Sequence, residues 1–554
     1  MKSNKIKKLS AMALSLVIGT SILAGCSGAD ELAEVKQEIV YNLGVDPLTL
    51  DPQLNTASEA GNIILNTFDG LTRMDKDSKA EGAVAKDWEV SEDGLKYTFN
   101  LRDDAKWSDG EGVTANDFKY AWLRALNPKT AADYAYQLYY IKGGEEYNTS
   151  KGTEEELAAL ADKVAINVVN DYTLEVELNA PTSYFTQLTA FATYMPVRKD
   201  IVEANKDSWA TKPETYVSNG PFKMTEYRIK DAIVLEKNEN YWDNANVKLE
   251  KIDIRMVIED TSSYAEFKSG TFDMINAVPP AEIENALNEK HAVVFKEFGT
   301  YFLALNVGNN TDDLNPKAVE ALQNKKFRQA LSVAVDRTAL VENVTKGHQI
   351  PAVGFTAPGV PTPDGKDFAE SKKYIAPNGN IEEAKKLLAE AGYPNGEGLP
   401  TFNFLINSEG AHAAVAQYLQ SVWKDLGVNT EIASQEFKVF LETRQQGKYM
   451  IGRHGWGGDY LDPITFLDMW VTNGGNNEMK YSNAEYDALI KEAKTTTDEA
   501  EKYEALRKAE DILMEDMPLI PLYYYTKVRA IKEDLKDVQV SPTGKVDFKN
   551  AYRG

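Results

Sequence analysis

The sequence predicts a mixed α/β chain, with interleaved α+β elements, folded as several domains. Three observations carry that prediction. The chain has 554 residues, more than one hydrophobic core ordinarily serves, so about two to four domains or one multi-lobed body are expected. Strand-like and helix-like periodicities alternate along the whole length. No internal repeat or low-complexity linker breaks the body, so its domains are expected to be joined by chain crossings. Hydrophobic residues make up 43% and charged residues 26%, which excludes a disordered chain.

The elements follow in order. "EIVYNLGVDPLTLDP" (38–52) alternates and then turns at two Asp-Pro steps, a strand entering a loop. "SEAGNIILNTFDGLTRMD" places Ile63, Ile64, Thr67, Phe68 and Leu71 at helical spacing. "LKYTFNLRDDAKWSDG" (95–110) reads as a strand and a turn. "TANDFKYAWLRAL" (114–126) opens with Thr114 three residues before Asp117, a box-like helix start. "YTLEVELN", "DAIVLEKN" and "KIDIRMVI" read as strands, the last alternating for a one-sided sheet. "IEEAKKLLAEAGYP" (381–394) gathers Ile381, Ala384, Leu387, Leu388 and Ala391 on one helical face, which Gly392 and Pro394 end. "HAAVAQYLQSVWKDLG" (412–427) is another helix, and the stretch 483–516 holds two.

The N-terminus speaks to location. "MKSNKIKK" carries four lysines and no acid, and an apolar run follows up to Cys26. This is the pattern of an export signal. The run is near the lower limit for a bilayer span, so a transmembrane anchor is the alternative. "LAGC" resembles a bacterial lipobox, in which the cysteine is lipidated and becomes the new N-terminus. Cys26 is the only cysteine, so no internal disulfide can form. The expected layout is a leader over 1–25, a polar tether over 26–37, and a soluble body held by two acyl chains at the outer face of a cell membrane or in the periplasm. No later segment has a transmembrane-length apolar run.

The net charge of −24 argues against a nucleic-acid partner. Enzyme signatures are missing too. There is no GxSxG elbow, no Walker loop and no HExxH. The four histidines, His291, His348, His412 and His454, show no metal-ligand spacing. "DKDSKAEG" (75–82) starts like a calcium loop but lacks its sixth-position glycine and carries Lys86 where the bidentate Glu belongs. No metal, cofactor or catalytic residue is expected.

Residues 85–118, "AKDWEVSEDGLKYTFNLRDDAKWSDGEGVTANDF", resemble the signature of the family 5 extracellular solute-binding proteins. The likeness continues in "NGPF" (219–222), "NENYWDN" (238–244), "KKFRQALSVAVDR" (325–337), "AKKLLAEAGYP" (384–394) and "EDMPLIPLYYY" (515–525), and so covers nearly the whole mature chain. Within the family, "QEFKVFLETRQQGKY" (435–449) and "GWGGDYLDPITFL" (455–467) look most like oligopeptide-binding members. The resemblance implies a three-domain, periplasmic-binding-protein-like fold in which two lobes close on a ligand. Lobe I would comprise 30–68, 213–299 and 527–554, an inserted domain 69–212, and lobe II 300–526. It implies an expected monomer that delivers oligopeptides to an ABC transporter permease. A receptor of the same fold for a dipeptide, nickel complex, sugar or signalling peptide is the alternative, and a surface hydrolase a more distant one.

A receptor for peptides of arbitrary sequence can use only the amine, the carboxylate and the backbone. A buried amine requires a carboxylate partner. Asp459 aligns with the family's amine-binding aspartate; its alternative role is to stabilise its own turn. In "IGRHGWGGDYLDP" (451–463), Gly455, Gly457 and Gly458 would leave a strand edge bare for an extended peptide. Trp456 would wall a side-chain pocket or pack in the core. Thr56, Ala57 and Ser58 align with the segment that sandwiches the peptide from the other side. Arg453 and His412 align with carboxylate-contacting residues, Lys346 less clearly; a surface charge and a helix start are their ordinary readings. Were 453–459 a regular strand, Arg453 and Asp459 would share a face roughly 20 Å apart at about 3.3 Å per residue, a gap suited to about three to five extended residues. Arg444 reads as a buttress. Phe437 stands where close relatives have a pocket tryptophan, Thr56 replaces an acidic residue, and Gly299 and Gly457 occupy positions where some relatives carry cysteines.

Overall fold

A computed structural model describes residues 35–76, 79–309, 312–408 and 411–554, without the side chains of 207 and 438. Cys26 and the leader lie outside the described residues. The body is organised by one long mixed sheet. In order its strands are Thr430–Gln435, Phe402–Asn407, Ile451–Gly457, Ala292–Leu305, Leu519–Ile531, Met274–Ile275, Glu38–Asn42, Lys251–Arg255, Ala232–Lys237 and Phe222–Arg228; Ile350–Pro351 joins Leu519–Ile531 off this path.

The two central strands are the longest, at 14 and 13 residues. Their pairing has two parts. Ala292–Lys296 pairs with 526–530, Thr300–Ala304 pairs with 519–524, and the register shifts between Lys296 and Thr300. On the far side of the shift, residues 299–305 pair with Ile451–Gly457. Before it, the neighbours change to Met274–Ile275 and the strands beyond. The chain thus passes twice between two groups of strands, once near Phe298 and once near Tyr525. Tyr301 to Leu305 are buried without a polar interruption, the pattern of a strand covered on both faces. "KIDIR" instead buries only Ile252 and Ile254, as its alternation predicts.

A separate antiparallel sheet of Ala85–Val90, Lys96–Leu101, Thr173–Glu177 and Ile166–Asn170 lies within 69–212. Helix Ala115–Leu126 starts with the Thr114/Asp117 capping box the sequence suggested. Its Trp122 indole donates to the Tyr194 carbonyl at 2.7 Å. Helices Ile381–Glu390 and His412–Lys424 also form, and Gly392 and Gly427 after them adopt φ of +94° and +83°. The helix expected to run through Leu71 is shorter. It spans Ser58–Thr67, Phe68 is already extended, and Thr72–Met74 is a strand. Just beyond the helix end, Gly70 packs closely: a Cβ there would come within 2.1 Å of the Thr189 carbonyl oxygen.

Candidate functional site

The site is built on the strand Ile451–Gly457. One edge pairs fully with residues 299–305. The other meets Phe402–Asn407 only at Ile451 and Gly452, so from Arg453 to Gly457 that outer edge has no strand partner among the described residues. His454 is turned into the core, stacked on Phe302 at 4.5 Å, where burial lowers its pKa well below the ordinary value and keeps it neutral. Arg453, Gly455 and Gly457 alternate with it.

The three glycines have different surroundings. A Cβ on Gly455 would lie 2.1 Å from the Tyr525 hydroxyl, and one on Gly458 would lie 2.3 Å from the Phe298 ring. Those two make room for the protein's own aromatics. Only Gly457, opposite Gly299, faces open space within 4 Å. Strand geometry also ends at Gly457. The Gly458 N–H is bound by the Phe298 carbonyl at 2.7 Å and the Asp459 N–H by Thr465 Oγ1 at 3.2 Å. The chain therefore turns before Asp459, and the regular strand assumed for 453–459 is two residues too long.

Asp459 borders a cavity of about 260 Å³ shared with Tyr136, Gln137, Tyr140, Trp456 and Asp468. Gln137 Nε2 donates to its carboxylate at 3.2 Å. Burial, and then the Asp468 carboxylate, push the Asp459 carboxyl up to about 7; Lys545, Gln137 and Tyr136 pull the other way. No cation forms an ion pair with it among the described residues. Lys545 is itself pushed down to about 8 by burial. Trp456 is half-buried, and its indole N–H is enclosed without a hydrogen-bond partner.

Arg453 sits among aromatics instead. Its guanidinium lies 5.3 Å over the Tyr301 ring, and Tyr301 stacks on Tyr523 at 4.7 Å. The Tyr301 hydroxyl is 3.1 Å from His412 Nδ1, with the rings stacked at 5.5 Å. Arg453 and His412 thus converge on Tyr301. Arg444 is buried, ion-paired with Glu478, and directs Nη1 at the Arg453 carbonyl at 3.4 Å, the geometry of a buttress. Lys346 is exposed at the end of a π-helical turn, with φ of +52°. Phe437 is 46% exposed and stacks on buried Phe440. Thr56 and Ser58 are exposed at the start of helix Ser58–Thr67, where Ala57 is the cap and its N–H is held by Asn55 Oδ1 at 2.9 Å.

Sequence reasoning missed Tyr136, Gln137, Tyr140 and Asp468 beside Asp459, and Tyr301, Tyr523 and Tyr525 around Arg453. The first three come from a region more than 300 residues away in the chain, with no motif of their own. The "YYY" run at 523–525 offered a signal: alternation puts Tyr523 and Tyr525 on one face of their strand.

A family described as bacterial extracellular solute-binding proteins, family 5 Middle, matches residues 79–478. The chain is 38% identical over 566 residues to the oligopeptide-binding protein OppA of Bacillus subtilis (strain 168), covering 99% of this chain and 100% of that one. It is 36% identical to the dipeptide-binding protein DppE of the same organism, covering 98% and 99%. The solved substrate-binding domain of an oligopeptide ABC transporter from Bacillus anthracis str. Ames superposes with a TM-score of 0.76 at 33% identity, over 94% of this chain and 99% of that one. Haemophilus influenzae OppA in complex with RPPGFSPFR gives 0.74 at 30%, over 94% and 99%.

Proposed function

The chain belongs to the family 5 bacterial extracellular solute-binding proteins, and on that premise we propose that it captures short oligopeptides in extended form for an ABC importer. As a member of that family it is a binding protein and not an enzyme. The observation that carries the peptide reading is the outer edge of 453–457, free of a strand partner and followed after a turn by a carboxylate that no cation pairs with among the described residues. A peptide backbone adds to such an edge as another strand would. Its ammonium group meets Asp459, its first side chain enters the cavity beside Trp456, and its carboxylate approaches Arg453 and His412. Thr56, Ala57 and Ser58 close over it from the opposite side, Phe437 borders a side-chain pocket, and Lys346 is a further cation for longer peptides. Side-chain pockets of a broad receptor are roomy and filled by adaptable water.

Lobe I (30–68, 213–299, 527–554) and lobe II (300–526) move about the two crossings near Phe298 and Tyr525, with 69–212 as the inserted domain. Ligand bridging stabilises the closed state, which the permease reads. Cys26 carries the lipid anchor at the outer face of the membrane; no helix among the described residues is long and apolar enough to cross one.

Native mass spectrometry of the purified protein tests the reading. Released ligands should be unmodified peptides. Release of a non-peptidic solute alone, or cleavage of added peptides, would overturn it. Loss of lipid mass in Cys26→Ser is expected; retention would sink the anchor.

A further inference from the structure

Beyond Gly458, the four residues Asp459 to Asp462 each make a contact connected with 133–187. Asp459 accepts from Gln137 Nε2 at 3.2 Å. Tyr460 lies flat on Tyr184, with ring centroids 4.5 Å apart and planes within 5°, and its hydroxyl meets that of Tyr140 at 3.2 Å. The Leu461 N–H is bound by Gln187 Oε1 at 3.0 Å. Asp462 is ion-paired with Lys502, both almost wholly buried. The same Lys502 donates to Ser183 Oγ at 3.0 Å and lies 4.8 Å over the Tyr184 ring.

A buried ammonium is costly unless its partners are fixed. Here the partners come from two distant parts of the chain. Lys502 can be fully satisfied only while 459–462 is seated on 183–187. The side chain is not among those lining the cavity that Asp459 borders. Its buried charge has no part in gripping the peptide as read above.

We propose that Lys502 is a positioning residue. It clamps the turn 459–462 to the inserted region, which fixes where Asp459 points and stabilises the closed arrangement. Its effect on affinity is indirect and is the same for every ligand sequence. The ligand half of this inference rests on the peptide reading; the clamp itself does not.

The test compares Lys502→Met, Lys502→Arg and Gln187→Ala with the natural protein. Hydrogen exchange without ligand should show faster exchange at 459–462 and 183–187 in Lys502→Met and Gln187→Ala. Stopped-flow binding of two unrelated tripeptides should show dissociation about tenfold faster for Lys502→Met, by the same factor for both, with association changed less than about threefold. Lys502→Arg should recover most of the loss. Should Lys502→Met not fold, Gln187→Ala, which removes only the Leu461 acceptor, carries both measurements. Unchanged exchange and dissociation in a folded variant would overturn the clamp. Loosened exchange in a protein that binds no tripeptide in its natural form would uphold the clamp and remove the peptide reading. A loss confined to one tripeptide would assign Lys502 to side-chain recognition and overturn the positioning role.

Discussion

The two ends of the strand 451–457 handle charge in opposite ways. At one end Arg453 is half-buried among Tyr301, Tyr523 and Tyr525, with its guanidinium over a ring face. An aromatic face stabilises a cation in part, so Arg453 is tolerably placed before any anion arrives. At the other end Asp459 has neutral donors, a second carboxylate nearby and the charge of Lys545 acting on it without an ion pair among the described residues, and its carboxyl is pushed up to about 7. One end is provisionally satisfied; the other awaits a cation or a proton. On the proposed peptide reading, the amine end is expected to command the larger share of affinity and the carboxylate end to tolerate variation in peptide length.

The largest effect expected from that contrast is at Asp459. Asp459→Asn keeps the shape and the Gln137 neighbour but removes the charge. Affinity for a free-amine tripeptide should fall about 100-fold, because truncating one partner of a desolvated charge pair costs about 2–5 kcal/mol. Calorimetry against the same tripeptide with an acetylated amine sharpens the comparison: the natural protein should lose a similar factor, and the variant little more. Equal binding of both peptides by the natural protein would place the amine elsewhere.

A smaller effect follows from pH. A bound ammonium would favour the charged carboxylate, so on the proposed reading the Asp459 pKa falls on binding from about 7 in the unliganded protein. Below pH 7 binding must release a proton, and affinity falls with pH. Between pH 7 and 5.5 the peptide amine stays protonated, so a loss of about tenfold belongs to the protein. Asp459→Asn should flatten the profile. For stability the sign is reversed. A carboxyl raised from 3.8 favours the unliganded fold at low pH, and that contribution is lost as pH rises through about 7. Affinity and unliganded stability should therefore run in opposite directions across this window.

These contrasts also show what could be read beforehand. Local chemistry was legible. The box at Thr114/Asp117, the stops at Gly392 and Gly427, and the alternation of Lys251–Arg255 are set by neighbours in the chain. The mixed α/β fold and the family were legible because motifs extend across the sequence. What was hidden depends on residues far apart. Nothing in "DYAYQL" (133–138) says that it meets Asp459, and nothing in "HGWGG" says that two of its glycines make room for Tyr525 and Phe298. Glycine in a strand signals close approach, but only the fold decides whether the approaching group is the protein's own.

At the Arg453 end the expected change is modest. Arg453→Gln removes the cation while His412 remains at Tyr301. Affinity for a free-carboxylate tripeptide should fall about fivefold, within the range for a charge already partly compensated. A C-terminal amide should bind the two proteins alike. A 100-fold loss at Arg453 would reverse the ranking of the two ends.

The smallest effect separates the glycines, and with them the two meanings of an open strand. Gly457→Ala adds a methyl where nothing lies within 4 Å and no positive φ is required, so thermal stability should stay within about 0.5 kcal/mol. Gly455→Ala cannot be neutral, because its methyl would overlap the Tyr525 hydroxyl that crowds the Arg453 cluster; overpacking of this kind costs about 1–3 kcal/mol. If a peptide backbone lies along 453–457, Gly457→Ala should still weaken tripeptide binding by about threefold, with stability unchanged, because the added methyl narrows the ground the ligand must occupy. Binding lost without stability at Gly457, and stability lost first at Gly455, would show that the space beside one glycine is kept for the ligand and beside the other for the fold. Unchanged binding in Gly457→Ala would move the peptide off this edge.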